Sequence, residues 1–131
     1  GEWATPDVPG ASQSCVAAKG GKWEAGVALE LRGCRLAADR GFQRKDGVVT
    51  TTAGLCVAAG ADGALSLAAC GADALVWRTT ATSVEGKPVT SVDGRCWTIP
   101  KLADPDASFP YPVIAAPCPQ PAPLGVLLSK D

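Results

Sequence analysis

The six cysteines of this 131-residue chain recur with a regular spacing. The members of one series lie 41 and then 40 residues apart, and they are Cys15, Cys56 and Cys96. The members of a second series follow these after 19, 14 and 22 residues, and they are Cys34, Cys70 and Cys118. A fixed period of this length is typical of a repeated supersecondary unit, so we expect three copies of one short motif.

Residues other than cysteine follow the same period. A shift of 40 positions places Val49-Thr50-Thr51 on Val89-Thr90-Ser91, and it places Gly54 on Gly94. Before the second-series cysteines the apolar residues alternate, as they do in strands that are buried on one face. These alternating pairs are Leu29 and Leu31, Leu65 and Leu67, and Val113 and Ala115. A bulky residue follows each second-series cysteine, namely Phe42, Trp77 and Val126.

Each copy predicts about four short strands. In the middle copy turn signals separate the apolar segments, and the strands are expected near Val48–Thr51, Leu55–Ala58, Ala64–Ala68 and Leu75–Thr79. No segment of useful length keeps a helical period. Three such copies, over about 1–45, 46–80 and 81–131, predict a single all-β domain with the closed, threefold pseudosymmetric architecture of a β-trefoil. A propeller shares the period, but three blades are too few to close its ring.

The composition predicts a thin core that needs covalent support. Much of the 47% hydrophobic content is Ala, and only two Phe, one Tyr and four Trp supply bulk. Thin cores in secreted domains are commonly held by disulfides, and six Cys without any His fit that role. The cysteines form no CxxC pairs, which argues against a structural zinc site. We therefore predict a secreted protein or another oxidising compartment, with reduced buried cysteines as the alternative.

Charge and residue content exclude several functional classes. The formal net charge of −1 comes from scattered residues, so nucleic acid is not an expected partner. No apolar run is long enough to span a membrane. Without His, no Ser–His or Cys–His nucleophile can form, and no pair of carboxylates has a catalytic context. We expect a protein that is not an enzyme and that needs neither cofactor nor metal. The chain lacks Met, so we expect either that an initiator and any signal peptide were removed or that it is part of a longer protein.

The threefold pattern of two cysteine-bounded strands followed by an aromatic residue resembles the ricin-B-type lectin family, and the resemblance covers nearly the whole chain. That family is a β-trefoil found as free lectins and as carbohydrate-binding modules attached to glycoside hydrolases and toxins. The resemblance implies the disulfides Cys15–Cys34, Cys56–Cys70 and Cys96–Cys118. It also implies a non-catalytic carbohydrate-binding module with a glycan as its partner. Each disulfide would stabilise the fold by about 3 kcal/mol.

The family's sugar-binding residues are missing from their usual positions. Members place an Asp two residues after the first cysteine and an aromatic ring just before the second. The first of these positions holds Ala17, Ala58 and Thr98, and the second holds Arg32, Ala68 and Ala116. The family's Gln-x-Trp motif reads Arg40-Gly41-Phe42 and Leu75-Val76-Trp77. The alternative is therefore a degenerate trefoil that has lost sugar binding and docks on another domain or subunit of its parent protein.

Two residues are carbohydrate-binding candidates. Trp23 lies between Lys22 and Glu24 in a polar insertion, where it would form a sugar platform, contact another domain or fold back over the protein. Asp39, ahead of the altered Gln-x-Trp position, is either a surviving sugar ligand or a solvated turn residue. Tyr111, with Phe109, carries the same alternatives as Trp23.

The remaining aromatic residues and the longest loop have other expected roles. Phe42, Trp77 and Trp97 are expected in the core. The segment Lys101–Pro112 is proline-rich, so we predict an irregular surface loop without regular strand pairing. A protease inhibitor acting through this loop is a third functional class, although its prolines and acidic residues offer no clear protease bait.

Overall fold

The structure is a computed structural model that describes residues 3–4, 14–33, 41–71, 76–80, 87–100, 106 and 110–118. Within these ranges the regular structure consists of twelve strands and one short 3₁₀ helix, which spans Lys19–Gly21. The predicted all-β class is therefore confirmed for this part of the chain. The strands are β1 (Trp3–Ala4), β2 (Ser14–Ala18), β3 (Leu29–Gly33), β4 (Phe42–Lys45), β5 (Val48–Thr51), β6 (Cys56–Ala59), β7 (Leu65–Ala68), β8 (Trp77–Arg78), β9 (Thr90–Ser91), β10 (Arg95–Thr98), β11 (Tyr111–Pro112) and β12 (Ile114–Pro117).

The described strands pair in three antiparallel sheets. One has the order β1-β2-β3-β11, the second β12-β10-β9-β8-β5-β4, and the third contains β6 and β7. In the middle repeat, β5 has the predicted bounds and β6 and β7 begin one residue later than predicted. The fourth predicted strand is shorter, and residues 72–75 lie outside the described ranges. No apolar helix of membrane-spanning length is found among the described residues.

The turn before the first cysteine is the same in the second and third repeats. In one repeat the N–H of Gly54 donates to the carbonyl of Thr51 at 3.0 Å, and in the next Gly94 donates to Ser91 at 3.1 Å. Both glycines have a φ of +83°, a left-handed conformation that suits Gly. The side-chain hydroxyl of Thr51 also accepts the N–H of Leu55, and the hydroxyl of Ser91 accepts the N–H of Arg95. The 40-residue period therefore extends from the sequence to the turn geometry.

Three backbone contacts join the repeats at equivalent positions. One partner in each contact is the second residue of an alternating apolar pair, that is, Leu31, Leu67 or Ala115. The other partner belongs to a different repeat and stands four positions before the second apolar residue of that repeat. The N–H of Leu67 donates to Val27 at 2.8 Å, and that of Ala115 donates to Gly63 at 2.7 Å. The third pair is Leu31 opposite Tyr111, in the β3–β11 pairing. The contacts run from the first repeat to the second, from the second to the third and from the third to the first.

The β3–β11 pairing corrects one prediction. The loop 101–112 was expected to lack regular pairing because of its prolines, yet its last two residues form β11. Tyr111 lies opposite Leu31 and Pro112 opposite Glu30. Proline is tolerated at this place because β11 is an edge strand of the sheet, where one side of the strand needs no N–H donor.

Aromatic rings form the centre of the core. Phe42, Trp77 and Trp97 are buried, as predicted. The ring centroids of Phe42 and Trp97 are 5.3 Å apart, and those of Trp77 and Trp97 are 6.0 Å apart, both in tilted arrangements. The indole N–H of Trp77 donates to the carbonyl of Val57 at 3.1 Å, which satisfies its one polar atom. The alternating leucines of β3 and β7 pack around these rings.

Two of the three implied disulfides are present as implied. Cys56 is bonded to Cys70, and Cys96 to Cys118, each with a Cα–Cα distance of 4.9 Å. Cys15 is also disulfide-bonded, and its implied partner Cys34 lies outside the described residues. Both described bonds stay within one repeat. Such bonds are compatible with an oxidising compartment.

Candidate functional site

The middle repeat has only short side chains at the positions where the lectin family places its sugar-binding residues. Cys56 lies opposite Ala68 and Ala58 lies opposite Ser66, so these four short side chains share one face of the β6–β7 hairpin. The opposite face contributes Val57 and buried leucines to the core. The face of this hairpin that points away from the core therefore carries no ring and no carboxylate.

The corresponding positions of the first repeat are structural. Ala17 is buried on β2. Arg32 is 8% exposed on β3, and its Nε lies 3.7 Å from Oε1 of Glu30. A buried guanidinium of this kind requires a charged neighbour, because burying it unpaired costs several kcal/mol. Arg32 therefore supports Glu30 and does not provide the aromatic platform of the lectin family.

Trp23 packs against the core. Its ring meets Phe42 edge-on, with centroids 5.2 Å apart and planes at 79°. The loop that carries Trp23 is tied to β7 by the N–H of Gly26, which donates to the carbonyl of Leu67 at 2.7 Å. The side chain is half-buried, and its indole N–H is buried without a hydrogen-bond partner among the described residues. This placement corresponds to the expected alternative in which Trp23 folds back over the protein, and sugar binding by Trp23 stays a prediction.

The second sequence candidate, Asp39, lies outside the described residues, as does Phe109. Tyr111 is described. It is half-buried on β11, where it packs against the edge of the core. The long-range pairing of β11 with β3 brings Tyr111 to a surface that the first repeat supplies.

A cleft of about 290 Å³ lies between this strand pair and the 3₁₀ helix. We call it the Tyr111 cleft, and its lining includes Lys19, Ala28, Glu30, Pro110, Tyr111 and Pro112. The cleft combines an aromatic residue, proline rings, a carboxylate and an exposed amine. It is slightly smaller than typical ligand pockets, which occupy about 300–1,000 Å³.

The carboxylate of Glu30 is held in a fixed position. Glu30 is only 8% exposed, and its Oε1 accepts the N–H of Gly20 at 3.3 Å. That N–H is available because Gly20, with a φ of +67°, turns the backbone of the 3₁₀ helix. The turn also places the exposed side chain of Lys19 at the rim. A held carboxylate and an amine in a cleft that Tyr111 and two prolines also line can bind a polyhydroxylated ligand, because the carboxylate accepts hydroxyl protons while the apolar face of the ligand covers an apolar ring.

Sequence reasoning identified Tyr111 but missed Glu30 and Lys19. Glu30 stands between Leu29 and Leu31, and a carboxylate within an otherwise apolar strand was the available signal. Its proximity to Tyr111 depends on a pairing between residues about 80 positions apart, which no local pattern encodes. In the described part of the chain, no three His, Cys, Asp or Glu side chains are grouped as a metal ion would require.

Comparisons with protein-family models, with curated proteins and with solved structures give no match to this chain.

Proposed function

We propose that this protein is a secreted, non-catalytic carbohydrate-binding module with a β-trefoil fold, and that the Tyr111 cleft is its sugar-binding site. The observation that carries the proposal is the grouping of Tyr111, Glu30 and Lys19 around one cleft. The glycan bound there is the partner of the domain.

The equivalent contacts between repeats support the trefoil. In a β-trefoil each repeat touches the other two around a threefold axis. The pairs Val27 with Leu67, Gly63 with Ala115, and Tyr111 with Leu31 occupy equivalent positions and close such a cycle. The shared turn geometry of the second and third repeats and the disulfides within repeats are consistent with the same arrangement.

The chemistry of the Tyr111 cleft supports saccharide binding. Sugars present C–H groups on one face and hydroxyls at the edge, and the cleft offers apolar rings together with charged polar groups. Glu30 is held through Oε1 by Gly20 and neighbours Arg32, so it enters a complex with little loss of conformational freedom. The first and third repeats share this site, whereas in the lectin family each repeat supplies its own.

A second candidate function is docking onto another domain or subunit of the parent protein. It is favoured by the short side chains of Ala58 and Ala68 on the β6–β7 hairpin and by Val92, which is 88% exposed at the β9–β10 turn. An interaction domain that does not bind sugar would keep the trefoil framework while such surfaces remain apolar.

Glycan-array screening followed by titration of the 131-residue chain tests the first function. We expect Tyr111→Leu, which keeps an apolar side chain against the core, to weaken sugar binding about tenfold, or about 1.4 kcal/mol. Lys19→Gln should also weaken binding, whereas Lys22→Gln removes an exposed charge three residues away and should leave affinity unchanged. If no glycan on a broad array binds, or if Tyr111→Leu and Lys22→Gln bind equally well, the proposed site is wrong and docking becomes the better explanation.

A further inference from the structure

A second cleft, of about 380 Å³, lies on the outer face of the six-stranded sheet. It is separate from the Tyr111 cleft, with which it shares no lining residue. We call it the Arg78 cleft, and its lining is Gly47, Arg78, Thr79, Thr80, Pro88 and Thr90. Its volume lies within the range of small-molecule sites.

Strand register places Arg78, which lines the cleft, and Lys45, which lies outside its lining, on one face of the sheet. Lys45 pairs with Val48, Val48 with Arg78, and Arg78 with Thr90, so these side chains lie in one row across β4, β5, β8 and β9. Neighbouring strands are about 4.8 Å apart, so the backbones of Lys45 and Arg78 are separated by about 10 Å. The row therefore presents two positive charges to the same side of the sheet.

The guanidinium of Arg78 has no acidic partner in the described part of the chain. It lies over the β4–β5 turn, where Nη1 is 3.8 Å from the place that a Cβ on Gly47 would take. Asp46 is on the same turn, yet Asp46 and Arg78 form no ion pair. Two other described arginines do contact an acidic side chain. Arg95 lies 2.9 Å from Asp93, and Arg32 lies 3.7 Å from Glu30. The exposed Arg78 fork is thus available to an anion from solution.

We propose that the Arg78 cleft binds the carboxylate-bearing residue of an acidic glycan, that is, a uronic acid unit. A guanidinium fork matches a carboxylate with two parallel hydrogen bonds, a geometry that an ammonium group does not offer. Thr80, Thr90 and Pro88 also line the cleft, so two hydroxyls and an apolar ring are present for the hydroxyls and the C–H face of the sugar. The saccharide nature of the ligand rests on the proposed function, whereas its negative charge follows from Arg78 in the cleft and from Lys45 in the same row of the sheet.

NMR titration of the 131-residue chain with glucuronate, glucose and acetate tests this inference. We expect glucuronate to shift the amide signals of Thr80 and Thr90 and to bind at least tenfold more tightly than glucose or acetate. Arg78→Gln should remove that advantage, and Arg78→Lys should restore only part of it, because Lys keeps the charge but not the fork. Lys22→Gln makes the same change in net charge on a residue outside both clefts, and it should bind glucuronate normally.

The outcomes separate this inference from the proposed function. Tyr111→Leu should leave glucuronate binding at the Arg78 cleft intact. If the unsubstituted protein binds glucuronate but no neutral sugar, only the role of the Tyr111 cleft is overturned. Equal affinities for glucuronate and glucose, or unchanged affinity in Arg78→Gln, would overturn the acidic-sugar site. Acetate that binds as tightly as glucuronate would overturn its assignment to a saccharide.

Discussion

A methyl group added at Gly63 should break the contact between the second and third repeats. A Cβ at this position would lie 2.4 Å from the carbonyl oxygen of Ala115, a separation that Cβ atoms do not adopt. The clash involves backbone on both sides, so no side-chain rotation can relieve it. The same two residues form the hydrogen bond between the repeats, in which the N–H of Ala115 donates to Gly63 at 2.7 Å.

Two matched glycines separate the clash from backbone strain. Gly63 has a φ of +84°, and Gly54 and Gly94 each have +83°, but a Cβ on either of the latter would meet nothing within 4 Å. Gly54→Ala and Gly94→Ala should each cost about 1–2 kcal/mol, the usual penalty for a left-handed Ala. Gly63→Ala adds about 1–3 kcal/mol of overpacking and about 1 kcal/mol for the weakened hydrogen bond. The expected loss is therefore about 3–6 kcal/mol, a large part of a typical domain's stability.

Urea unfolding followed by tryptophan fluorescence measures the three variants. Hydrogen exchange provides a local readout, because the amide of Ala115 should exchange faster in Gly63→Ala than in Gly54→Ala. If Gly63→Ala loses no more stability than Gly54→Ala, and the Ala115 amide stays protected, the close approach of the two repeats is wrong. The proposed trefoil would lose one of its three closing contacts with it.

Two further results are expected. Replacing Cys56 and Cys70 together by Ala should lower the free energy of unfolding by about 3 kcal/mol, because the bond closes a loop with a sequence separation of 14; a loss below about 1 kcal/mol in denaturant unfolding would contradict this. The hydrogen bond from Ser91, and to a smaller extent the one from Arg95, lowers the pKa of Asp93 below its ordinary value of 3.8. The ionised carboxylate of Asp93 therefore stabilises the fold above the unfolded-state pKa of about 3.9, and this stabilisation is lost as the pH falls through the folded-state pKa. NMR titration should give a pKa below 3.8 that rises in Ser91→Ala, and a value at or above 3.8 in the unsubstituted protein would refute the assignment.

Local signals explain which parts of the fold were predicted from sequence. The strands β5, β6 and β7 alternate in hydrophobicity and are bounded by glycine turns, so a short window contains all the information needed to find them. Trp77 was predicted to be buried because it occupies the bulky position that recurs in each repeat, and Trp97 because it follows Cys96 where the other copies have Val. The intra-repeat disulfides followed from the family resemblance, and the two that are described have the implied partners.

The candidate site could not be predicted in the same way. Trp23 was considered as a sugar platform because charged residues flank it, but its ring packs edge-on against Phe42, which is 19 positions away. Tyr111 and Glu30 line one cleft only because β11 pairs with β3. Both contacts are tertiary. The prolines of the loop before β11 led to the expectation that this segment would not pair with a strand.

The junctions between repeats explain why the Tyr111 cleft lies where it does. At the junction of the second and third repeats, Gly63 approaches the backbone of Ala115 so closely that no side chain fits between them. At the junction of the third and first repeats, two inserted loops contribute described residues to the cleft, namely Lys19 from one and Pro110, Tyr111 and Pro112 from the other. There Pro112 faces Glu30, and the cleft of about 290 Å³ stays open. Because the framework residues of each repeat are needed for the core, the proposed binding chemistry lies at the junction whose loops vary, whereas Ala58 and Ala68 leave the outer face of the β6–β7 hairpin without a ring or a carboxylate.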